Sequence, residues 1–148
     1  MAFQARVGGA DGWATRADAI LARVRTASDG AVDDGLAMVQ QSAQQNLRHF
    51  THPPGTPTPS APGDPPALIS GTLLRSVKAR RTSTGPNVFA GKVGSTVIYG
   101  PPQERGARTG RGHHTILPPR PWLRPAAFNA LPKAGKHIIS AWTRAIRG

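Results

Sequence analysis

The first third of the chain has the apolar spacing of an amphipathic helix. Between residues 15 and 50, apolar side chains recur every three or four positions, close to the 3.6-residue period of an α-helix. Thr15 and Asp18 have the spacing of a capping box, which predicts that the helix begins at Thr15. Gly30 and Gly35 weaken the middle of this pattern. We predict one long helix over the whole range, with a kink or two helices in line as the alternative.

A proline-rich segment follows at residues 52–66, with seven prolines in fifteen positions. Proline removes a backbone donor and fixes φ, so neither a helix nor an inner strand is expected here. A loop of this length is usually functional or disordered. We predict an extended arm that becomes ordered against a neighbouring subunit.

Residues 68–99 have the character of strands. Runs at 73–79, 88–94 and 96–99 are rich in apolar and β-branched residues, and Gly, Pro, Asn and Ser punctuate them as turns do. These features predict a small antiparallel meander of three strands.

The remainder of the chain is predicted to be a flexible basic loop, residues 105–121, followed by helices over residues 122–147. Pro125 can occupy a first helical turn, whereas Pro132 is expected to separate two helical segments. The fold class predicted for residues 1–148 is α+β, in a single domain. A long N-terminal helix would pack on a small antiparallel sheet, with a C-terminal helix and long Pro/Gly-rich loops.

Composition predicts a small core. Of 148 residues, 38% are apolar, 5% are aromatic, and 17 Gly with 15 Pro make 32 residues that favour loops. The absence of cysteine excludes disulfides and thiolate ligands. No apolar run is long enough for a membrane span and the first residues do not resemble a signal peptide, so we expect a cytosolic product.

The net charge of +12 is distributed unevenly. Residues 1–34 carry five acids and four arginines, a net charge of −1, whereas residues 35–148 carry two acids and fifteen bases, a net charge of +13. This asymmetry is typical of a protein that meets a polyanion or an acidic protein surface. The alternative is that the arginines serve solubility and reflect a GC-rich genome.

Three short segments carry a family resemblance: SGTLLRSV at 70–77, YGPPQERG at 99–106 and PPRPWLRPA at 118–126. In this order they resemble the siphophage tail-completion, or tail-to-head joining (neck), protein family. Its members have a long N-terminal helix, a TG-x-L-x-x-S strand start, a YA-x-x-x-E-x-G segment and a P-x-RPFLRPA motif opening a C-terminal helix. The matching positions are Gly71, Leu73, Ser76, Tyr99, Glu104, Gly106, Pro119, Arg120, Pro121, Trp122, Leu123, Arg124, Pro125 and Ala126.

The chain departs from the family pattern at three places. Trp122 stands where the family usually has Phe, and the proline-rich segment 52–66 looks like an insertion. Gly100-Pro101-Pro102 replaces a helical turn that usually contains Ala, which leaves open whether the family's short helix around Glu104 forms here.

The resemblance implies a structural virion protein of a tailed bacteriophage. Such a protein forms a homo-oligomeric ring, by resemblance a hexamer, at the head-to-tail junction, and it is assembled in the host cytoplasm. The implied partners are head-completion or adaptor proteins on one side, and a tail terminator or tail tube protein on the other. Two alternatives stay open: a tail terminator that caps the tube, and a basic DNA-binding protein without sequence specificity.

Candidate contact residues follow from the same segments. Trp122 and Leu123 form a pair of apolar anchors that either fill the core or contact another subunit, and Arg120 and Arg124 could pair with Glu104. The basic residues Arg105, Arg108 and Arg111 are candidates for phosphate contacts with DNA in the channel, or for docking on an acidic ring. Gly71 and Gly106 are expected to supply turn conformations, while Pro121 and Pro125 set an extended approach to the C-terminal helix.

No catalytic, cofactor or metal site is predicted. The five histidines, His49, His52, His113, His114 and His137, lack the convergent carboxylates that would complete a metal site. Nucleophile, phosphate-binding and dinucleotide-binding motifs are absent. We therefore expect a protein that is not an enzyme.

Overall fold

The computed structural model describes residues 9–53, 56 and 60–148. Its elements are α1 (Ala10–Asn46), α2 (Thr72–Ser76), β1 (Val77–Arg81), β2 (Gly91–Ser95), α3 (Gly100–Arg105), β3 (Ala107–Thr109), a 3-10 turn (Arg111–His113), β4 (Thr115–Leu117) and α4 (Leu123–Arg147). Together they form the α+β arrangement that the sequence predicts, with a long N-terminal helix packed on a small antiparallel sheet and against a C-terminal helix. None of the described helices is long and apolar enough to cross a bilayer.

Helix α1 is a single helix of 37 residues, as predicted, but its predicted bounds were wrong. It begins five residues before Thr15, because the backbone N–H of Trp13 already bonds the carbonyl of Gly9. Thr15 is thus inside the helix and does not cap it. The helix ends at Asn46, because the N–H groups of Arg48 and His49 bond carbonyls only three residues back, and the carbonyl of Phe50 accepts from the N–H of Leu68.

The sheet was predicted with three strands and has two in this region. Strands β1 and β2 pair antiparallel, with Val77 opposite Ser95 and Arg81 opposite Gly91. Residues 73–76 are helical in α2, and residues 96–99 form a turn. Both corrections share one cause: hydrogen bonds of Ser76 and Ser95, which lie side by side at the open end of the hairpin, turn the chain where each strand would have continued.

Three side chains of α1, those of Gln40, Asp29 and Asp33, bond strand β1 of this hairpin. The Gln40 amide nitrogen donates to the carbonyl of Val77 at 3.1 Å, and its oxygen accepts from the N–H of Ala79 at 3.2 Å. Farther along the helix, Arg81 pairs with Asp29 and Asp33. The sheet is therefore fixed to α1 along the length of β1.

The predicted flexible loop 105–121 is structured over its middle. Strands β3 and β4 form a second antiparallel hairpin, with Ala107 opposite Leu117 and Thr109 opposite Thr115. We call residues 107–117 the basic hairpin. Its tip is closed by Gly110 and Gly112, whose φ angles of 79° and 74° suit glycine.

Helix α4 is continuous from Leu123 to Arg147, so the break predicted at Pro132 is wrong. The helix lies along α1 and buries a stripe of small residues: Ala126, Ala130, Ala134 and Ala141. Small side chains let two helices approach closely. That packing continues on both sides of the proline and outweighs the single backbone bond that proline removes.

The core lies where α1, β1 and the start of α4 meet. It consists of Ala43, Leu47, Val77, Trp122 and Ala126, with Leu73, Leu74, Val93 and Leu123 packed against it. Trp122 is 1% exposed and is the largest fully buried side chain of the described residues.

The described residues of the proline-rich segment contain no helix or strand, as predicted; residues 54, 55 and 57–59 lie outside the described part. Its second half is attached to its own chain. The N–H of Gly63 donates to the carbonyl of Pro119 at 2.9 Å, and the side chain of Arg120 donates to the carbonyl of Ser60 at 2.8 Å. This half of the segment is thus placed without a neighbouring subunit.

Candidate functional site

The carboxylate of Glu104 caps the N-terminus of α4. One oxygen accepts from the backbone N–H groups of Trp122 (2.7 Å) and Leu123 (2.8 Å), and the other accepts from that of Arg124 (2.8 Å). The first amides of a helix have no intrahelical acceptor, and a negative charge is favourable at this end of the helix dipole. No side chain next to α4 provides such a cap. Glu104 therefore supplies it from another helix.

This arrangement corrects one prediction. Glu104 was expected to pair with the guanidinium groups of Arg120 or Arg124, and no ion pair of the described residues joins them. The carboxylate instead accepts hydrogen bonds from backbone amides, because the PPRPWLRPA segment begins helix α4 beside it.

Helix α3, which carries Glu104, forms in spite of the sequence Gly100-Pro101-Pro102. Both prolines occupy the first turn, where an N–H group has no partner to lose. Gly100 is buried, and a Cβ there would lie 2.5 Å from the side chain of Ser95. The departure from the family pattern thus preserves the short helix and allows its close approach to β2.

The first of the three resemblance segments, SGTLLRSV at residues 70–77, packs against the core next to the start of α4. Gly71 caps α2 with a φ of 71°, as its predicted turn role requires. The hydroxyl of Ser76 donates to the carbonyl of Leu73 at 2.6 Å and lies 2.8 Å from the hydroxyl of Ser95. Leu73 packs against the core cluster that contains Trp122.

Gly106 ends α3 with a φ of 75°. A Cβ there would lie 2.9 Å from the carbonyl oxygen of Leu117 and 3.1 Å from the nitrogen of Pro119. Only glycine fits both the backbone conformation and this contact, so the predicted role of Gly106 as a turn residue is confirmed. The three motifs, separated in sequence, therefore form one compact unit, which we call the motif joint: residues 71–76, 99–106 and 119–126.

The candidate contact residues divide between the core and the surface. Trp122 fills the core, so it is not available to another subunit. Leu123 is half-buried against the same cluster. Arg120, also a candidate contact residue, is 5% exposed. Arg124 is exposed, and its guanidinium lies 5.7 Å from the ring centre of Phe128.

The remaining motif residues lie where the chain enters a helix. Tyr99 is the N-cap residue of α3 and is exposed. Pro121 is half-buried before α4, and Pro125 is in the first turn of α4, as predicted.

The basic hairpin and its base present an exposed cationic surface. Arg105, Arg108 and Arg111 are all exposed, and His113 and His114 lie at the tip. Within the described part of the chain, none of these arginines has an acidic partner. The surface can therefore meet an anion without first breaking an internal ion pair.

The two long helices leave large apolar side chains in solvent. Trp13 on α1 is 74% exposed and Ile139 on α4 is 63% exposed. Other exposed apolar residues on these helices are Leu21, Phe128, Leu131, Trp142 and Ile146. Ile139, Trp142 and Ile146 are spaced three and four residues apart, so they share one face of α4, which α1 covers only in part.

The described residues contain no group of three or more His, Asp or Glu side chains placed to hold a metal ion. His49 stacks edge-on against Phe50, and His137 bonds Asp34 at 2.8 Å. His49 and His137 therefore take part in contacts within the chain, at two separate places on α1 and α4 or their ends.

One grouping of residues was not predicted from the sequence, although Arg120 was a candidate contact residue. Ser60, Gln103 and Arg120 line a small cavity together, although they come from the arm, α3 and the segment before α4. Gln103 and Arg120 lie in two of the resemblance segments, but no periodicity or motif joins Ser60 to them, so no sequence signal indicated this grouping.

Comparisons with known proteins give no relative. No family model matches the sequence, and no curated protein or solved structure is significantly similar to it.

Proposed function

We propose that this protein is a structural component of a tailed-phage virion, a subunit of a homo-oligomeric ring at the head-to-tail junction. In this role it would join tail to head and continue the DNA channel. One observation carries the proposal: the three sequence segments on which the family resemblance rests meet in the motif joint, centred on Glu104 and the start of α4.

The motif joint supports the resemblance because the matching residues have related structural roles in it. A glutamate on a short helix caps the helix that the RPWLRPA segment opens, and glycines at 71 and 106 allow the turns that bring these segments together. An accidental match of short motifs would not be expected to select residues that contact one another.

The exposed apolar residues of α1 and α4 support a role in assembly. Contiguous apolar surface on a soluble protein commonly marks a contact with another protein. A closed ring uses two different surfaces of each subunit. The exposed apolar residues of the two long helices and the exposed arginines of the basic hairpin would provide two such surfaces.

The exposed arginines of the basic hairpin support the DNA-channel part of the proposal. Contacts with phosphate need mobile cations and carry no sequence information. A conduit through which any genomic sequence must pass requires contacts of this kind.

Deletion of the gene from a phage that carries it tests the proposal. We expect filled heads and separate tails of normal length in electron micrographs of the lysate. Overlong tails would indicate a tail terminator, and normal virions would contradict both assignments. Complementation with the wild-type gene in trans is the control.

A basic DNA-binding protein is the second candidate, favoured by the arginines of the hairpin that lack acidic partners. It requires that the isolated chain bind duplex DNA with an affinity that falls steeply with salt. The neck assignment requires weak binding by the isolated chain. Replacement of Arg105, Arg108 and Arg111 by Gln should abolish any binding, whereas replacement of Lys133, Arg144 and Arg147 by Gln is the charge-matched control.

A further inference from the structure

The two outer edges of the β1–β2 hairpin differ in how the chain covers them. The hairpin is a sheet of two strands, and the other two strands of the described residues, β3 and β4, form a separate sheet. At the edge of β1, Gln40 bonds the carbonyl of Val77 and the N–H of Ala79. A side chain of α1 thus satisfies the backbone of β1, and the edge of β2 is left for comparison.

The backbone groups on the edge of β2 follow from the ladder between the strands. In an antiparallel pair, residues alternate between those bonded to the partner strand and those whose N–H and C=O point away from it. The N–H of Thr96 donates to the carbonyl of Ser76 at 3.1 Å, which places the even-numbered residues of β2 on the bonded side. Gly91, Val93 and Ser95 therefore direct their backbone groups outward, and no hydrogen bond within the described residues reaches these groups. We call this row of groups the β2 edge.

There is space beside the β2 edge. Gly91 is exposed, and Val93 and Ser95 are half-buried. A cleft of about 270 Å³ is lined by Gly94 and Ser95, by α3 and by the start of α4. A strand added to β2 would therefore have room for one of its side chains next to the end of β2.

One face of the hairpin is cationic. Lys78, Arg80 and Lys92 share this face, since side chains two residues apart and directly opposite each other lie on the same side of a sheet. All three are exposed, and no ion pair of the described residues includes them. Arg80 lies directly opposite Lys92, which is unfavourable for like charges. We call these residues the cationic triad; an anion beside Lys92 would relieve the repulsion.

The β2 edge determines the chemical class of its partner. Its N–H and C=O groups recur at every second residue, and the backbone of an added strand has donors and acceptors at the same repeat. A nucleic-acid backbone offers phosphate acceptors only, so the carbonyls of Gly91, Val93 and Ser95 would stay unpaired. The partner is therefore an extended polypeptide segment.

The cationic triad determines the charge of that segment. None of the strands β1 to β4 contains Asp or Glu, so a strand of a second copy would not neutralise the triad. A lysine on a short edge strand also disfavours pairing between like strands. An acidic side chain opposite Lys92, in contrast, would form a favourable cross-strand pair.

We infer that the β2 edge accepts an extended, acidic segment of a partner protein as a third strand. The backbone of the segment would bond Gly91, Val93 and Ser95. Its acidic side chains, at alternate positions, would lie on the face of the cationic triad. The inference does not depend on the neck assignment.

Hydrogen exchange of the full chain with the peptide N-acetyl-Thr-Glu-Val-Glu-Thr-amide, followed by NMR, tests the inference. The amides of Gly91, Val93 and Ser95 gain acceptors, so their exchange should slow at least about fivefold at saturating peptide. The amides of Lys92 and Gly94 already bond β1 and should change less. No slowing at millimolar peptide, or equal slowing of the two sets, would overturn the inference.

Two control peptides separate backbone from charge. N-acetyl-Thr-Gln-Val-Gln-Thr-amide keeps the backbone and loses the charge, so at low salt it should bind about fivefold more weakly. The acidic peptide with N-methyl groups on its three central residues keeps the charge and loses the donors, so it should not slow exchange. A neutral peptide that binds as tightly as the acidic one would overturn the acidic partner. An N-methylated peptide that binds as tightly would overturn strand addition.

Nucleic acid is the competing partner of the cationic triad. A short DNA duplex that shifts the Lys92 signal at a lower concentration than the acidic peptide would assign this face to phosphate contacts and would overturn the protein partner. We expect the acidic peptide to act at the lower concentration, because only the peptide also pairs with the β2 edge.

A charge reversal places the contact on the molecule. Lys92→Glu changes an exposed side chain opposite Arg80, so it should fold, and it should bind the acidic peptide about tenfold more weakly. N-acetyl-Thr-Lys-Val-Lys-Thr-amide should then bind this variant more tightly than the acidic peptide does. Lys136→Glu makes the same change at an exposed position of α4 and should weaken binding by less than about twofold. Equal effects of the two variants would contradict a contact at β2.

Discussion

At the scale of single residues, Glu104 has the most consequential position. Helix caps usually come from the residue just before the helix, but α4 takes its cap from a carboxylate 18 to 20 residues earlier in sequence. The first turn of α4 therefore depends on α3 being in place. The same contacts orient Trp122 toward the core, so one side chain couples the helix start to the packing of the molecule.

Glu104→Ala should lower the free energy of unfolding by about 2–4 kcal/mol, because three amides lose a charged acceptor. Glu104→Gln keeps one acceptor oxygen and should lose about half as much. Urea denaturation followed by circular dichroism measures both. Asp18→Ala, an exposed acid on α1, is the charge-matched control and should change stability by less than about 0.5 kcal/mol. Equal effects of Asp18→Ala and Glu104→Ala would contradict the capping role.

At the scale of elements, the interface between helices α1 and α4, which we call the seam, depends on small residues. A Cβ on Gly35 would lie 3.3 Å from that of Ala134, whereas a Cβ on Gly30 would meet nothing within 4 Å. The side chain of Trp142 also crosses the seam and donates from its indole nitrogen to the Ser28 hydroxyl at 2.8 Å. The two glycines that seemed alike in the sequence thus have different roles.

Gly30→Ala should raise the free energy of unfolding by about 0.5–1 kcal/mol, since alanine is favoured over glycine inside a helix and its methyl group would meet no other atom. Gly35→Ala gains the same helix preference but must displace Ala134, so it should be neutral or destabilising. Thermal unfolding of both variants under identical conditions provides the measurement. A Gly35→Ala variant that gains as much as Gly30→Ala would show that the seam is looser than described.

Pro132→Ala should stabilise the protein by about 1–3 kcal/mol, because proline inside a helix removes a backbone hydrogen bond and crowds the preceding turn. Position 132 is exposed, so the substitution leaves the seam intact. Denaturant unfolding measures the gain, and Leu131→Ala at the neighbouring exposed position is the control, which should give no comparable gain because leucine and alanine have similar helix preferences. A loss of stability would mean that α4 requires the proline.

At the scale of the whole molecule, surfaces of different chemistry are separated. The basic hairpin exposes arginines without acidic partners in the described part of the chain. The long helices expose large apolar residues, whereas the acids Asp29, Asp33 and Asp34 of α1 pair with Arg81 and His137 within the chain. A subunit with an exposed cationic hairpin and exposed apolar residues on its long helices is suited to contacts with several neighbours at once.

If the apolar residues of α4 form a contact between subunits, replacing Ile139 and Ile146 together by Glu should weaken self-association at least about tenfold, because burying these side chains becomes unfavourable. Sedimentation velocity over a range of concentrations gives the measurement. Ser140→Glu with Thr143→Glu adds the same charge to exposed polar positions of the helix and should have a smaller effect. Identical association in both double variants would place the contact elsewhere.

The sequence by itself determined the features that depend on local chemistry. The helical period predicted α1 and the α+β class, the prolines excluded regular structure in the described parts of segment 52–66, and Gly71 and Gly106 marked positive φ angles. These properties follow from the conformational preference of a residue and its neighbours, so the sequence was sufficient to predict them.

Only the tertiary structure decided which distant groups meet. Residues 73–76 became a helix and 96–99 a turn because hydrogen bonds of Ser76 and Ser95 outweigh strand preference. Glu104 bonds backbone amides where an arginine partner was predicted, and Arg120 is buried beside Ser60 and Gln103. Such contacts depend on the distance between segments after folding, and no local pattern of residues encodes that distance.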